Sequence, residues 1–279
     1  MKHSQSNVTR IAAVAMLCLI TLVSSSMAAT KHPLNYPYGL AVDAKGNLYV
    51  ANTNGNEVLV YGANHVQASG KTVTQGVSTP NAVAFDPNGN LWVGNGSNPA
   101  SITEYSPTGV QNTAATITQG ITQPNAIAFD GLANLWVEDN YANLVMYPQF
   151  QTQPLFSLPA GAPITGLGFH QGFASVGGNS GTFVFETSYL INSKGVVGQI
   201  PPTCFAMAYN AAGYLYCGNE DRALVGIDSA YHVTVLAQLG FFPTGLAVDS
   251  TRGLIYVANG PSNQIAVYGT TGTLLATIK

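Results

Sequence analysis

An all-β chain, folded as a six-bladed β-propeller of four-stranded antiparallel blades, is predicted by three observations. A proline, a variable residue and a small-large-small-large run closed by Asp recur at Pro37–Asp43, Pro80–Asp86, Pro124–Asp130 and Pro243–Asp249. Two weaker copies end at His170 and Asn210, so that Asp43, Asp86, Asp130, His170, Asn210 and Asp249 stand 43, 44, 40, 40 and 39 residues apart. A tight turn and a second short strand, in most copies built around an aromatic residue, follow each copy. A repeat of about 40 residues made of short strands means an array of small sheets, and radial repetition of four-stranded units is a propeller.

Each element of the unit has a local cause. The first strand is small-large-small-large, as in Gly39-Leu40-Ala41-Val42 and Ala82-Val83-Ala84-Phe85. Innermost strands crowd near the axis, so a Gly or Ala face lets one blade approach the next while the larger face fills the opposite layer. The turn after it is rich in Gly and Asn, as in Ala44-Lys45-Gly46-Asn47 and Pro87-Asn88-Gly89-Asn90, and Gly supplies the positive φ of a bulged hairpin. The second strands are Leu48-Tyr49-Val50, Leu91-Trp92-Val93, Leu135-Trp136-Val137, Leu215-Tyr216-Cys217 and Ile255-Tyr256-Val257. Their rings lie farther out, where blades diverge. Third strands such as Val58–Tyr61 and fourth strands such as Lys71–Thr74 and Leu274–Thr277 complete the unit. The fourth repeat lacks the aromatic of its siblings in Phe173–Gly177, which predicts an irregular blade. The ring is predicted to close by face packing, with no strand exchanged between the ends of the array.

The first 28 residues differ in character. Lys2 and Arg10 precede an apolar run of 13 residues, Ile11 to Val23, and Ser24-Ser25-Ser26-Met27-Ala28 ends it. That is the pattern of a cleavable secretory signal peptide over residues 1–28, and it is too short for a membrane span. Residues 29–279 are then the propeller, secreted or periplasmic. Cleavage leaves 7 basic and 12 acidic residues, a formal charge of −5. With no basic patch to neutralise phosphates, nucleic acid is excluded as a partner.

Cys204 and Cys217 fall in one repeat, on two strands joined by the turn at Ala211-Ala212-Gly213. Export would let a disulfide persist. If Asn210 faces Tyr214, Cys217 faces Met207, and Cys204 is an odd number of positions from Met207. Side chains alternate faces along a strand, so the two thiols are predicted to be unbonded unless a bulge lies near Cys204.

The pattern Pro-x-Gly-Leu-Ala-Val-Asp, Gly-Asn-Leu-Tyr-Val-Ala-Asn and Asn-x-Val-x-Val-Tyr resembles the NHL repeat, over residues 36 to 279. It borders on the SMP-30/gluconolactonase-like propellers. The resemblance implies the fold and leaves function open, since such propellers include protein-binding and RNA-binding modules, lactonases and lyases. It also implies that ligands sit at the mouth formed by the loops leading into first strands and those joining second to third strands. The first group supplies Tyr38, Asn81, Asn125, Thr165, Phe205, Phe242 and Thr244, and the second Glu138 and Asp139, besides Asn52, Asn95, Asn179, Glu220, Asp221, Arg222 and Asn259.

Asn81 and Asn125 stand where the lactonase-like relatives carry an amide ligand to a divalent cation. Those enzymes add converging carboxylates, because hard cations gain most from charged oxygens. Here only Glu138 and Asp139 could reach inward, so no cofactor is predicted. Any divalent cation would fall to Asn81, Asn125 and Asp139, with help from Glu138. The expected role of Asn81 and Asn125 is to cap the strand starts through backbone hydrogen bonds. The series Asn52, Asn95, Asp139, Asn219 and Asn259, and the turn residues Asp43, Asp86, Asp130 and Asp249, are expected to be structural. No histidine pair has zinc-ligand spacing, and no nucleophile elbow is present. Tyr36, Tyr38, Phe205, Phe241 and Phe242 form either an apolar rim for a ligand or a plug for the channel.

Two function classes follow. One is an exported binding or scaffold module for a protein, peptide or glycan. The other is a hydrolase or lyase of lactonase type, for which titratable groups should cluster in one pocket.

Overall fold

The computed structural model describes residues 31–141, 143–159, 164–178, 181–186, 198–200 and 203–279. The proposed signal peptide, Cys18 and Asn179 lie outside them. Six antiparallel sheets succeed one another along the chain. Blade 1 holds β1 (Pro37–Val42), β2 (Leu48–Asn52) and β3 (Glu57–Tyr61). Blade 2 holds β4 (Pro80–Phe85), β5 (Leu91–Asn95), β6 (Ser101–Tyr105) and β7 (Gln111–Ile117). Blade 3 holds β8 (Pro124–Phe129), β9 (Leu135–Asp139), β10 (Asn143–Tyr147) and β11 (Phe156–Pro159). In blade 4 the strands are β12 (Ile164–His170), β13 (Phe173–Gly178), β14 (Gly181–Glu186) and β15 (Gly198–Ile200). Blade 5 runs β16 (Cys204–Tyr209), β17 (Leu215–Asn219), β18 (Ala223–Ile227) and β19 (Val233–Gln238), and blade 6 β20 (Gly245–Asp249), β21 (Leu254–Asn259), β22 (Gln264–Gly269) and β23 (Leu274–Ile278).

The first strands touch in ring order, β1 to β4, β8, β12, β16, β20 and back to β1. Blade 6 is built from consecutive strands alone, so face packing closes the ring. The small residues are where that packing is tightest. A Cβ on Gly39 would stand 2.6 Å from the Asn81 carbonyl of the next blade, and one on Gly245 would overlap the Tyr38 carbonyl. Thr244 Oγ1 donates to the Pro37 carbonyl at 2.8 Å across the same seam.

Aromatic and small residues pair within blades as the alternation requires. Ala41 faces Tyr49, Ala84 faces Trp92, Ala128 faces Trp136, Ala208 faces Tyr216 and Ala247 faces Tyr256. In blade 4 the pair is Gly168 and Ser175. Among the described residues all four strands of this blade form despite the missing ring. Tyr209 of blade 5 bonds Ser175 Oγ through its hydroxyl at 2.6 Å and stacks on His170.

Blade 1 departs from four strands. The segment expected to be its fourth strand contributes isolated bridges, Val58 to Val73 and Tyr61 to Gln67, with a 3-10 turn at Ser69–Lys71 between them. Gly70 and Lys71 belong to that turn, which breaks the ladder before it can lengthen.

Cys204 and Cys217 are disulfide-bonded, with a Cα–Cα distance of 5.5 Å, and this overturns the expectation of unbonded thiols. The cause is a register shift between Cys204 and Ala206. Ala206 pairs with Gly218 and Met207 with Cys217, but Cys204 pairs with Asn219. One extra residue, Phe205, restores Cys204 to the face of Cys217. The same shift recurs at Pro37/Leu40, Pro80/Ala82, Pro124/Ala126 and Ile164/Gly166.

Candidate functional site

The recurrent bulge builds the mouth. Tyr38, Asn81, Asn125, Thr165 and Phe205 are residues that the five register shifts leave out of the ladder, and bulges re-aim side chains in this way. Tyr38, Asn125 and Phe205, with Thr244 and Glu138, line a cavity of about 90 Å³ on the propeller axis. The side chain of Thr165 lies outside the described residues.

Glu138, at the end of β9, is only 1% exposed. Its Oε1 accepts the backbone N–H of Tyr141 at 2.6 Å, and the Asn125 side chain lies beside the same carboxyl group. Burial pushes its pKa up to about 8, and the neighbouring Asp139 adds to the rise against the opposing hydrogen bonds of Tyr141 and Asn125. Burial also raises the Tyr38 hydroxyl pKa well above its ordinary value, reinforced by Tyr141, Glu138 and Tyr36.

Tyr141 follows Asn140, and both adopt positive φ, 55° and 53°. This left-handed pair turns the tyrosine over the channel, where its hydroxyl meets that of Tyr38 at 3.2 Å. Tyr141 was not legible as a site residue. An aromatic residue in a left-handed conformation has no sequence signature comparable to Gly or Asn.

Asn81 and Asn125 do not cap backbone groups. Asn81 Nδ2 donates to Asn125 Oδ1 at 3.2 Å, and both are buried. Asn125 Nδ2 has no partner in hydrogen-bond geometry, although it is close enough to Glu138 to hold its pKa down.

Asp139 points away from the mouth in function. Its Oδ1 accepts the backbone N–H groups of Thr122 and Gln123, and its Oδ2 accepts the Thr122 hydroxyl at 2.8 Å. Asn52 and Asn95 make the equivalent tie to Asn35 and Ser78, each 17 residues back. In blade 5 Glu220 takes this place with Thr203, while Asn219 accepts from Ala223. Asn259 accepts from Ser262. These groups anchor loops. Thr244 is likewise committed, donating to Pro37 and accepting from the Gly260 N–H. At the opposite end, Asp86 and Asp130 clamp their turns and receive the indole N–H of Trp92 and Trp136.

The donor set does not fit a divalent cation. Asn125 Oδ1 and both Asp139 oxygens are already hydrogen-bonded, which leaves one carboxylate where a hard ion needs several oxygens. Among the described residues no three His, Cys, Asp or Glu side chains converge as ion ligands.

Two aromatic pairs flank the floor. Tyr36 stacks on Tyr38 with ring centroids 6.5 Å apart, and Phe205 meets Phe242 edge-on at 5.9 Å. Phe242 is 49% exposed, and the Arg222 guanidinium sits 4.4 Å from its ring centre. Phe241 instead packs against the core between blades 5 and 6. No helix among the described residues is long and apolar enough to cross a membrane.

Comparison with known proteins agrees with this architecture. A hydrazine synthase from Kuenenia stuttgartiensis superposes with a TM-score of 0.62 at 14% identity, over 91% of this chain and 89% of that one. A gluconolactonase from Xanthomonas campestris gives 0.65 at 13% identity, over 82% and 84%. A virginiamycin B lyase from Staphylococcus aureus gives 0.62 at 10% identity, over 86% and 83%. At such identities the likeness is one of fold. No curated protein sequence matches the chain. Residues 34–61 match the NHL repeat, so the chain is a six-bladed β-propeller whose first blade is similar to an NHL repeat.

Proposed function

We propose that the protein is an exported binding module that takes a protein, peptide or glycan at the mouth of its axial channel. The observation that carries this reading is the composition of the mouth. Two aromatic pairs, Tyr36–Tyr38 and Phe205–Phe242, surround a floor where Glu138 and Asn125 have unused hydrogen-bonding capacity. Rings provide contact area at low entropy cost, and a few unsatisfied polar groups fix orientation. The disulfide in blade 5 supports export, because such bonds persist in oxidising compartments. The apolar leader supports it too. Screening the protein against peptide and glycan arrays tests the reading. Ligands should bind the wild type and be lost by Phe242→Ala and Tyr38→Ala variants that melt normally. Hits that survive both substitutions would move the site elsewhere.

A second reading is favoured by Glu138. A buried carboxyl that keeps its proton up to about pH 8 has the character of a general acid. A hydrolase or lyase using it would turn over without a metal. Assay of a panel of sugar lactones and unsaturated glycans, with and without EDTA, checks this. Turnover abolished by Glu138→Gln and indifferent to EDTA supports the enzyme. No turnover on the panel leaves the binding reading.

A further inference from the structure

We infer that the axial cavity receives a primary ammonium group, held by the carboxylate of Glu138 and walled by the ring of Tyr38. The inference rests on the mouth being a binding site and specifies its ligand. Glu138 is buried, lines the cavity and has no cationic partner among the described residues. One of its oxygens accepts from Tyr141, and beside the cavity its other polar neighbour is the neutral Asn125 amide. A buried carboxyl without a counter-charge is costly, and a cation beside it removes most of that cost. Aromatic faces are negative at their centres, so Tyr38 favours a cation beside it over an anion. The rim already shows this chemistry at Arg222 over Phe242.

Charge and size agree. The second-to-third-strand connections at the mouth and the strand ends beside them carry Glu57, Glu138, Asp139, Glu220 and Asp221 against Arg222 and the His32 paired with Glu57, a field that attracts cations. A cavity of about 90 Å³ admits the end of an aminoalkyl chain. The groups facing Glu138 are Tyr141 on its own loop, Tyr38 from blade 1, Asn125 from β8 and Asp139 beside it. None of these can neutralise it.

Two sources share this chemistry, a lysine side chain and a peptide N-terminus. Calorimetric titration separates them with Nα-acetyl-lysine methylamide, alanyl-glycine amide and Nα-acetyl-norleucine methylamide, the last an isostere without the ammonium. At least one amine should bind, and the norleucine analogue should bind about tenfold or more weakly. Glu138→Gln should weaken the amine about tenfold or more and leave the norleucine analogue unchanged. Binding should release a proton, seen as a heat that depends on buffer, and tighten as pH rises from 6 towards 8. Tyr38→Phe, which keeps the wall and removes a hydroxyl, is a second variant should Glu138→Gln fold poorly. It should retain most of the amine affinity, while Tyr38→Ala loses it. Equal binding of amine and isostere, or amine binding indifferent to both Glu138→Gln and Tyr38→Ala, overturns the inference. If neither amine binds at millimolar concentration while array ligands still depend on Phe242, the inference fails and the binding-module reading stands. If array ligands are independent of Phe242 and Tyr38, both fail.

Discussion

Tyr141 of blade 3 reaches past blade 2 to Tyr38 of blade 1, their hydroxyls 3.2 Å apart across the channel mouth. The same Tyr141 gives its backbone N–H to Glu138 beneath. The bridge therefore holds the turn at Asn140 and Tyr141 down over the cavity. Tyr141→Phe should cost no more than about 1 kcal/mol of stability, the worth of one part-exposed hydrogen bond. It should nevertheless speed amide hydrogen exchange at residues 140 and 141. Unchanged exchange there would mean that backbone contacts alone fix the turn.

Glu138 should give the protein an unusual stability profile. Its pKa is raised from an ordinary 4.5 to about 8, so the folded chain keeps a proton that the unfolded chain gives up. Stability then falls as pH rises from about 4.5 to about 8 and is flat above that window. The full swing is on the order of 5 kcal/mol. Glu138→Gln, which cannot ionise, should flatten the profile and be the more stable form at pH 8. Urea unfolding at pH 5, 6, 7 and 8 measures both, and parallel profiles for the two proteins would contradict the assignment.

The Cys204–Cys217 bond closes a loop of 13 residues in sequence separation. Restricting the unfolded chain over such a loop is worth about 3 kcal/mol. A Cys204→Ala/Cys217→Ala protein should unfold at correspondingly lower urea concentration. Alkylation of the denatured, unreduced protein produced under oxidising conditions should label neither residue, and labelling of both would show that the bond does not form.

Gly245 abuts the Tyr38 carbonyl where the ring closes, with no room for a methyl group. Gly245→Ala should destabilise the protein by about 2–4 kcal/mol, through forced separation of blades 6 and 1. Gly70→Ala is the control, since a Cβ there meets nothing within 4 Å, and it should melt within a degree or two of the wild type.

The ring was legible because its cause is periodic. Small residues in first strands and rings in second strands recur at the blade interval, and steric need ties each to a place. The turn aspartates were legible for the same reason. What escaped was set by single backbone events. Phe205 inserts one residue and reverses the parity of Cys204, and a strict alternation cannot reveal that. The same insertion aims Tyr38 and Asn125 into the channel. Asp139 looked like a site carboxylate next to Glu138, but its partners Thr122 and Gln123 come from a loop 16 and 17 residues away. The fourth strand of blade 1 failed at a 3-10 turn whose composition, Ser-Gly-Lys, is unremarkable in an edge segment.

The ties from Asn52, Asn95, Asp139 and Glu220 to Asn35, Ser78, Thr122 and Thr203 fasten each of these four rim segments to its own blade. Each of these ties is made within one blade, so loss of one leaves the other three in place. The mouth can therefore be altered piecewise. Exchanging the Asn140–Tyr141 turn or the Arg222 position changes the surface of the mouth without reopening the problem of how six sheets meet. Rim and ring are in this way under separate control.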